Sequence, residues 1–290
     1  MADPEVTDAI SSGDHACLTY TDAEERLDLL AAFVRTGLRA GMKVLCWTDT
    51  QPPDGLAAEL AARSVRAGAA LKRGQLGIVP VTDALLGGAR TDVESMIDVL
   101  AAELDSAGRD GYPGLRVTAD MGWAANPLAA ADQLMEFESS VGDLFTDGRL
   151  CLICQYDRDR FDAVTMSFAA RSHAKTLAAQ VYLEHPLLRI CRQYSPPGLR
   201  IAGELDYRQK EVLEQALGES LRLDRHMHVN LSGLVYIDGA CAATIVKAAT
   251  RLSATRRMTL RCRRAVATVL DLVGANSIPQ LRVQVIDAQR

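Results

Sequence analysis

Apolar residues recur at helical spacing from Asp22 to Ala40, with Thr21 or Asp22 placed to cap the first turn and Gly41 to end it. A short, nearly all-apolar run follows, Met42-Lys43-Val44-Leu45-Cys46-Trp47, which predicts a buried strand. The same alternation of long helical stripe and short apolar run continues. Leu76–Val81 predicts a strand, Thr91–Ala107 a helix, Leu115–Asp120 a strand, Pro127–Phe145 a helix, and Leu150–Tyr156 a continuous apolar strand. Helices alternating with strands that are apolar on both faces predict a mostly parallel sheet covered on both sides.

Beyond Phe161 the pattern reads as mostly helical to Tyr194, interrupted at His185-Pro186. Ser195-Pro196-Pro197-Gly198 cannot continue a helix and precedes a fresh strand, so a domain boundary is expected there, giving domains 1–194 and 195–290. In the second domain, Leu199–Asp206 predicts an opening strand and turn, and Gln209–Leu223 an amphipathic helix. Val229–Ala242 reads as a buried strand, a tight turn, a second strand and the start of a helix. Cys241–Leu252 continues that helix, Met258–Cys262 is a strand, Ala265–Val273 a helix and Leu281–Ile286 a last strand.

Composition narrows the function classes. A chain of 290 residues suits one large or two ordinary domains with a sizeable core. No apolar run reaches the roughly 20 residues needed to span a bilayer, and Met1–Ser12 has neither a basic leader nor an apolar core, so a cytoplasmic location is expected. Seven scattered cysteines fit a reducing compartment better than a disulfide framework. Charge is uneven, with 18 Lys+Arg against 28 Asp+Glu in residues 1–196 and 14 against 9 in residues 197–290. The C-terminal arginines Arg256, Arg257, Arg261, Arg263 and Arg264 lack interleaved aromatics and a reading helix. They point to a solvated edge or an acidic partner rather than to nucleic acid.

Three constellations carry candidate chemistry: Gly13-Asp14-His15-Ala16-Cys17-Leu18-Thr19-Tyr20, Asp120-Met121-Gly122-Trp123, and Cys151-Leu152-Ile153-Cys154-Gln155-Tyr156-Asp157-Arg158. The carboxyl ends of strands in an open α/β sheet are where ligands usually bind. His15, Cys17, Tyr20, Asp120, Trp123, Cys154 and Tyr156 are therefore candidates for a ligand pocket. Four of them also have a plain structural role open to them: His15 and Cys17 as packing at the helix entrance, Asp120 as a cap or a remnant acidic position, Trp123 as a core seal. Cys151 and Cys154 resemble a CxxC pair, but an offset of three on a strand sends the two thiols to opposite faces. A site mixing His15, Cys17 and Cys154 would be the metal alternative. With no second CxxC to complete four ligands, no metal and no cofactor are expected.

Taken together, these motifs resemble the MEDS domain, a sensory module of methanogen, methylotroph and dichloromethane-regulator proteins. The resemblance covers about residues 11–190 and rests on Gly-Asp-His-x-Cys-x-x-Tyr from Gly13, on Gly41-Met42-Lys43-Val44-Leu45, on Asp120-Met121-Gly122-Trp123, on Cys154-Gln155-Tyr156-Asp157-Arg158 and on His185-Pro186. It implies a RecA/KaiC-like sheet with helices on both faces and a small, often hydrocarbon-like, ligand. In a P-loop ATPase the loop before the first helix carries Gly-Lys-Ser/Thr. Gly13–Tyr20, taken as the matching place, has no such ending, so the P-loop is read as lost and ATP hydrolysis is not expected.

Val229–Ala242 resembles the signature of STAS domains of the anti-sigma-factor-antagonist type. Members that switch by phosphorylation carry Asp-Ser-Ser-Gly at the helix start, where this chain has Asp238-Gly239-Ala240-Cys241. The resemblance implies a partner-binding region at Asp238, Gly239, Ala240, Cys241 and Thr244 without the acceptor hydroxyl. The expectation is a non-enzymatic signalling protein that binds an anti-sigma factor (a GHKL-type kinase) or a related regulator, without direct contact to nucleic acid or membrane. A degenerate nucleotide-binding enzyme, and a scaffold that builds a homo-oligomeric STAS assembly, are the alternatives.

Overall fold

In the computed structural model, residues 10–87, 92–125 and 128–286 are described. The expected helix starts at Thr91 and Pro127 lie outside them. They fall into two compact units that divide between Ala178 and Ala179.

The first unit is a six-stranded sheet. Its strands are β1 (His15–Tyr20), β2 (Lys43–Thr48), β3 (Leu76–Pro80), β4 (Leu115–Asp120), β5 (Leu150–Asp157) and β6 (Lys175–Leu177). They lie in the order β3-β2-β4-β5-β1-β6, and every neighbouring pair is parallel. The helices between them are α1 (Ala23–Arg39), α2 (Pro53–Ala62), α3 (Ala67–Lys72), α4 (Val81–Ala84), α5 (Val93–Arg109), α6 (Leu128–Ser140) and α7 (Ala163–Ser172). The period of two on β2 sorts the core onto both faces. Leu45 and Trp47 join a cluster with Met96 and Leu100 of α5 and Leu134 and Phe137 of α6. Val44 and Cys46 join Leu27, Leu30 and Val34 of α1 and Leu60 of α2. That two-sided burial is why the strands read as continuous apolar runs. Gly37 lets α1 sit close to the sheet, since a Cβ there would lie 2.8 Å from the Arg116 side chain and 2.9 Å from that of Val44.

The second unit adds β7 (Val181–His185), β8 (Leu188–Tyr194), β9 (Pro197–Leu205), α8 (Lys210–Leu223), β10 (Met227–Leu231), β11 (Leu234–Ile237), α9 (Gly239–Thr250), β12 (Met258–Arg263), α10 (Arg264–Leu272) and β13 (Leu281–Ile286). The sheet runs β13-β12-β10-β9-β8-β7, with β11 also paired to β9. It is parallel from β13 to β9, and β8 and β7 are antiparallel. Leu199 and Ile201, Met227, Val229 and Leu231, and Met258, Leu260 and Cys262 alternate onto one face. There they pack against Leu213 and Leu217 of α8, Ile245 and Ala249 of α9, and Val266 and Leu270 of α10.

The expected helix from Phe161 to Tyr194 is confined to α7. After it the chain forms β6 in the first sheet and the β7–β8 hairpin in the second. The reason is pairing: Leu188 and Ile190 alternate into the second core, and β8 bonds along its length to β9. Pro186 lies in the hairpin turn. The strand-turn-strand-helix reading of Val229–Ala242 is what the chain forms.

Candidate functional site

Six of the seven candidate residues of the first unit separate into two groups, and Cys17 stands apart from both. One lies at the carboxyl ends of the parallel strands. Asp120 ends β4, and its Oδ2 accepts from Arg26 Nη1 at 3.0 Å, from the Thr50 hydroxyl at 2.7 Å and from the Thr50 amide at 3.2 Å. Its Oδ1 accepts from the Gly122 amide at 3.0 Å. Arg26 also reaches Gln51 Oε1 at 3.2 Å and Gln155 Oε1 at 3.4 Å, and its guanidinium lies 5.5 Å over the Tyr20 ring. Burial, and next the Asp120 charge, push the Tyr20 phenol up to about 12. Trp123 sits half-buried in the turn after β4, packed on the core. The protein thus supplies its own cation to Asp120.

The strand-to-helix connection is also closed to phosphate. His15–Tyr20, expected to form a loop before the first helix, is strand β1, paired on both edges to β5 and β6. Only Thr21 and Asp22 join β1 to α1. The Asp22 carboxylate accepts from the Glu24 and Glu25 amides at 2.8 and 3.1 Å, and both of those residues are acidic. Two amides of this helix N-terminus, the kind of place that would attract an anion, are therefore already taken by Asp22. The degenerate-enzyme alternative finds no support here.

The second group forms around Glu138 of α6. Its Oε2 lies 3.0 Å from His15 Nε2 and 3.2 Å from His173 Nε2, and its Oε1 accepts from the Tyr156 hydroxyl. Cys154 Sγ is 3.5 Å from His15 Nε2. Phe145 stacks on His15 with centroids 4.9 Å apart. One donor atom from each of His15, Glu138, Cys154 and His173 lies within 4.8 Å of the other three. Burial pushes the Glu138 carboxyl up, but the approach of His15, His173 and Tyr156 more than offsets this and holds it below the usual range. Burial holds His173 below its ordinary value and therefore neutral near pH 7, and it raises the Cys154 thiol. Cys17 is opposite Cys154 in the sheet register, yet its thiol bonds to the Thr176 hydroxyl at 3.3 Å and stays out of the cluster. Cys151 is likewise apart: Leu152 and Cys154 share one core face, whereas Cys151 does not belong to it.

Glu138 and His173 escaped the sequence reading, as did Arg26. Glu138 stands one turn after Leu134 on the inward stripe of α6, and a lone acid on an apolar stripe is the signal that marks it. His173 follows α7, in a stretch with no motif of its own.

In the second unit, Asp238 caps α9. Its Oδ1 accepts from the Cys241 amide and its Oδ2 from the Tyr207 amide, both at 2.8 Å. Gly239 and Ala240 are exposed, beside Tyr236 of β11. Cys241 and Thr244 are buried. The Cys241 thiol bonds to the Asp206 carbonyl at 3.1 Å, and the Thr244 hydroxyl to the Ala240 carbonyl at 3.0 Å. Burial first, then the Asp238 charge, push the Cys241 thiol up to about 12.

Comparison with known proteins finds two family profiles in order along the chain. The MEDS profile (MEthanogen/methylotroph, DcmR Sensory domain) matches residues 14–174, and a profile described as "Mlab, STAS domain" matches residues 189–282. A search of curated proteins returns no match. Among solved structures, an uncharacterised protein of Pyrococcus horikoshii, crystallised with an unknown peptide, is 15% identical with a TM-score of 0.50, over 67% of this chain and 94% of that one. A KaiC-like protein of Pyrococcus horikoshii OT3 gives 12% and 0.46, over 63% and 80%. The flagellar accessory protein FlaH of Methanocaldococcus jannaschii gives 11% and 0.43, over 68% and 86%. Likeness at these identities concerns the fold alone.

Proposed function

The chain belongs to the MEDS family of sensory domains, and from that premise we infer that it is a cytoplasmic signalling protein whose sensory module governs a STAS surface. That surface would bind an anti-sigma factor of the GHKL-kinase type. The observation that carries the reading is the start of α9. In phosphorylated STAS domains a serine accepts phosphate there, at the anion-friendly end of a helix. Phosphate adds about two negative charges, enough to disrupt an apolar contact. Here the helix is capped by Asp238, the position is Ala240, and the exposed neighbours are Gly239, Val235 and Tyr236. A partly apolar contact surface that no kinase can phosphorylate at Ala240 suits constant partner binding. Regulation would then have to come from the sensory module, through a ligand with different affinity for two states of the protein.

Affinity capture of the tagged chain from its native cytoplasm tests this, with Ala240→Glu as the paired bait. A GHKL-type kinase recovered with the native chain and absent from the variant is the expected result. Recovery of only this chain and other STAS proteins by both baits would replace the reading with an assembly role.

A further inference from the structure

We propose that His15, Glu138, Cys154 and His173 form a closed, four-coordinate site for a borderline-soft divalent cation of the zinc type. The inference goes beyond the signalling reading and does not depend on it.

Geometry comes first. Zinc bonds of about 2.0–2.1 Å to nitrogen, 2.0–2.2 Å to oxygen and 2.3 Å to sulfur put tetrahedral ligand atoms roughly 3.3–3.6 Å apart. Three of the six separations here are 3.0, 3.2 and 3.5 Å, and none exceeds 4.8 Å. The four residues come from β1, α6, β5 and the end of α7, so the fold brings together ligands that are distant in sequence.

The second observation is a buried, unmet acceptor turned toward another acceptor. His173 Nδ1 lies 2.6 Å from the Ala169 carbonyl, which can only accept, so Nδ1 carries the proton. In the neutral ring Nε2 is then a bare lone pair. It faces Glu138 Oε2, another acceptor, at 3.2 Å, and His173 Nε2 has no hydrogen-bond partner, although both side chains are fully buried. Two acceptors turned on each other in a dry interior repel unless something positive lies between them. A cation shared by His173, Glu138, His15 and Cys154 satisfies all of them.

The supporting groups fit the same assignment. Metal-binding histidines usually donate their other ring N–H to a carbonyl, as His173 does, and ligating carboxylates are themselves hydrogen-bonded, as Glu138 is by Tyr156. On binding, the Cys154 thiol releases its proton to solvent and its sulfur bonds the ion. A thiolate and a carboxylate then neutralise the divalent charge, so the buried complex carries none. Nitrogen and sulfur donors disfavour magnesium and calcium. With four protein ligands and no open position, the ion would tie four elements together rather than activate water.

The test uses the full chain with a tag free of histidine. Metal content is measured after purification from zinc-supplemented medium, and the stripped protein is then titrated with cobalt(II). Expected are a single zinc per chain and, with cobalt, a thiolate-to-metal charge-transfer band beside intense four-coordinate ligand-field bands. Cys154→Ser should abolish the charge-transfer band, Tyr156→Phe should weaken affinity roughly 10- to 100-fold through the lost support of Glu138, and Cys17→Ser should change neither. If a histidine variant does not fold, the band of the native chain and its loss in Cys154→Ser still decide the matter. A folded native chain that retains no zinc and gives no cobalt spectrum would overturn the proposal and assign a shared proton to the cluster. So would cobalt spectra unchanged by Cys154→Ser. Either failure leaves the partner-capture experiment untouched.

Discussion

Asp120 and Arg26 neutralise each other in a buried setting, with side-chain exposures of 2% and 7%. Removing one member leaves a buried charge alone, so Asp120→Ala should lower stability by roughly 3–5 kcal/mol, whereas an apolar replacement of both, Arg26→Met with Asp120→Leu, should recover much of that. Urea unfolding of the three proteins checks it. Equal losses in the single and double variants would mean that the pair is not what matters. Asp238 is a different case, an N-cap that also holds the Tyr207 amide. Asp238→Ala should cost about 1 kcal/mol or slightly more, read as a lower unfolding midpoint. Ala240 is exposed, so Ala240→Glu should change stability by less than ~0.5 kcal/mol. A matching loss of fold would undo its use as a probe of partner binding. At this scale the sequence made His15, Cys154, Tyr156 and Asp120 legible because each sits in a compact motif. Glu138, His173 and Arg26 were not, because what defines them is a neighbour far along the chain.

Elements were read best where a period is uninterrupted. The apolar strands β2, β4 and β5 and the stripe of α1 follow from residue order, since burial on both faces or on one face leaves its mark locally. The stretch after α7 was not, because Val181–Tyr194 becomes a hairpin only by pairing with β9, a partner that no local pattern reveals. His15–Tyr20, placed by resemblance at a loop, is a strand for the same reason: that identity rests on pairing with β5 and β6. One element also carries a pH dependence. His228 lies on β10, and burial lowers its pKa, with Asp224 acting to raise it and His226 to lower it further. Below its unfolded value of about 6.5 the unfolded chain binds more protons than the folded one. This contribution is therefore fully present above that pH and is lost as pH falls through the lower folded value. Urea midpoints should decline on acidification from neutrality, and less steeply in His228→Gln. An identical decline in the variant would assign the dependence to other groups.

As a whole the molecule joins a MEDS sensory domain to a STAS domain, and no helix among the described residues is long and apolar enough to cross a membrane. In the proposed reading, a STAS surface without its acceptor serine would separate partner binding from phosphate chemistry and leave control to the sensory module. The most direct measurement is the equilibrium affinity of the native full chain for the GHKL-type kinase that the proposed reading expects, before and after incubation with Mg²⁺ and ATP. The account predicts an unchanged affinity and no phosphate on the native chain, with Ala240→Ser gaining phosphate and losing the partner. Phosphorylation and release of the native chain would contradict it.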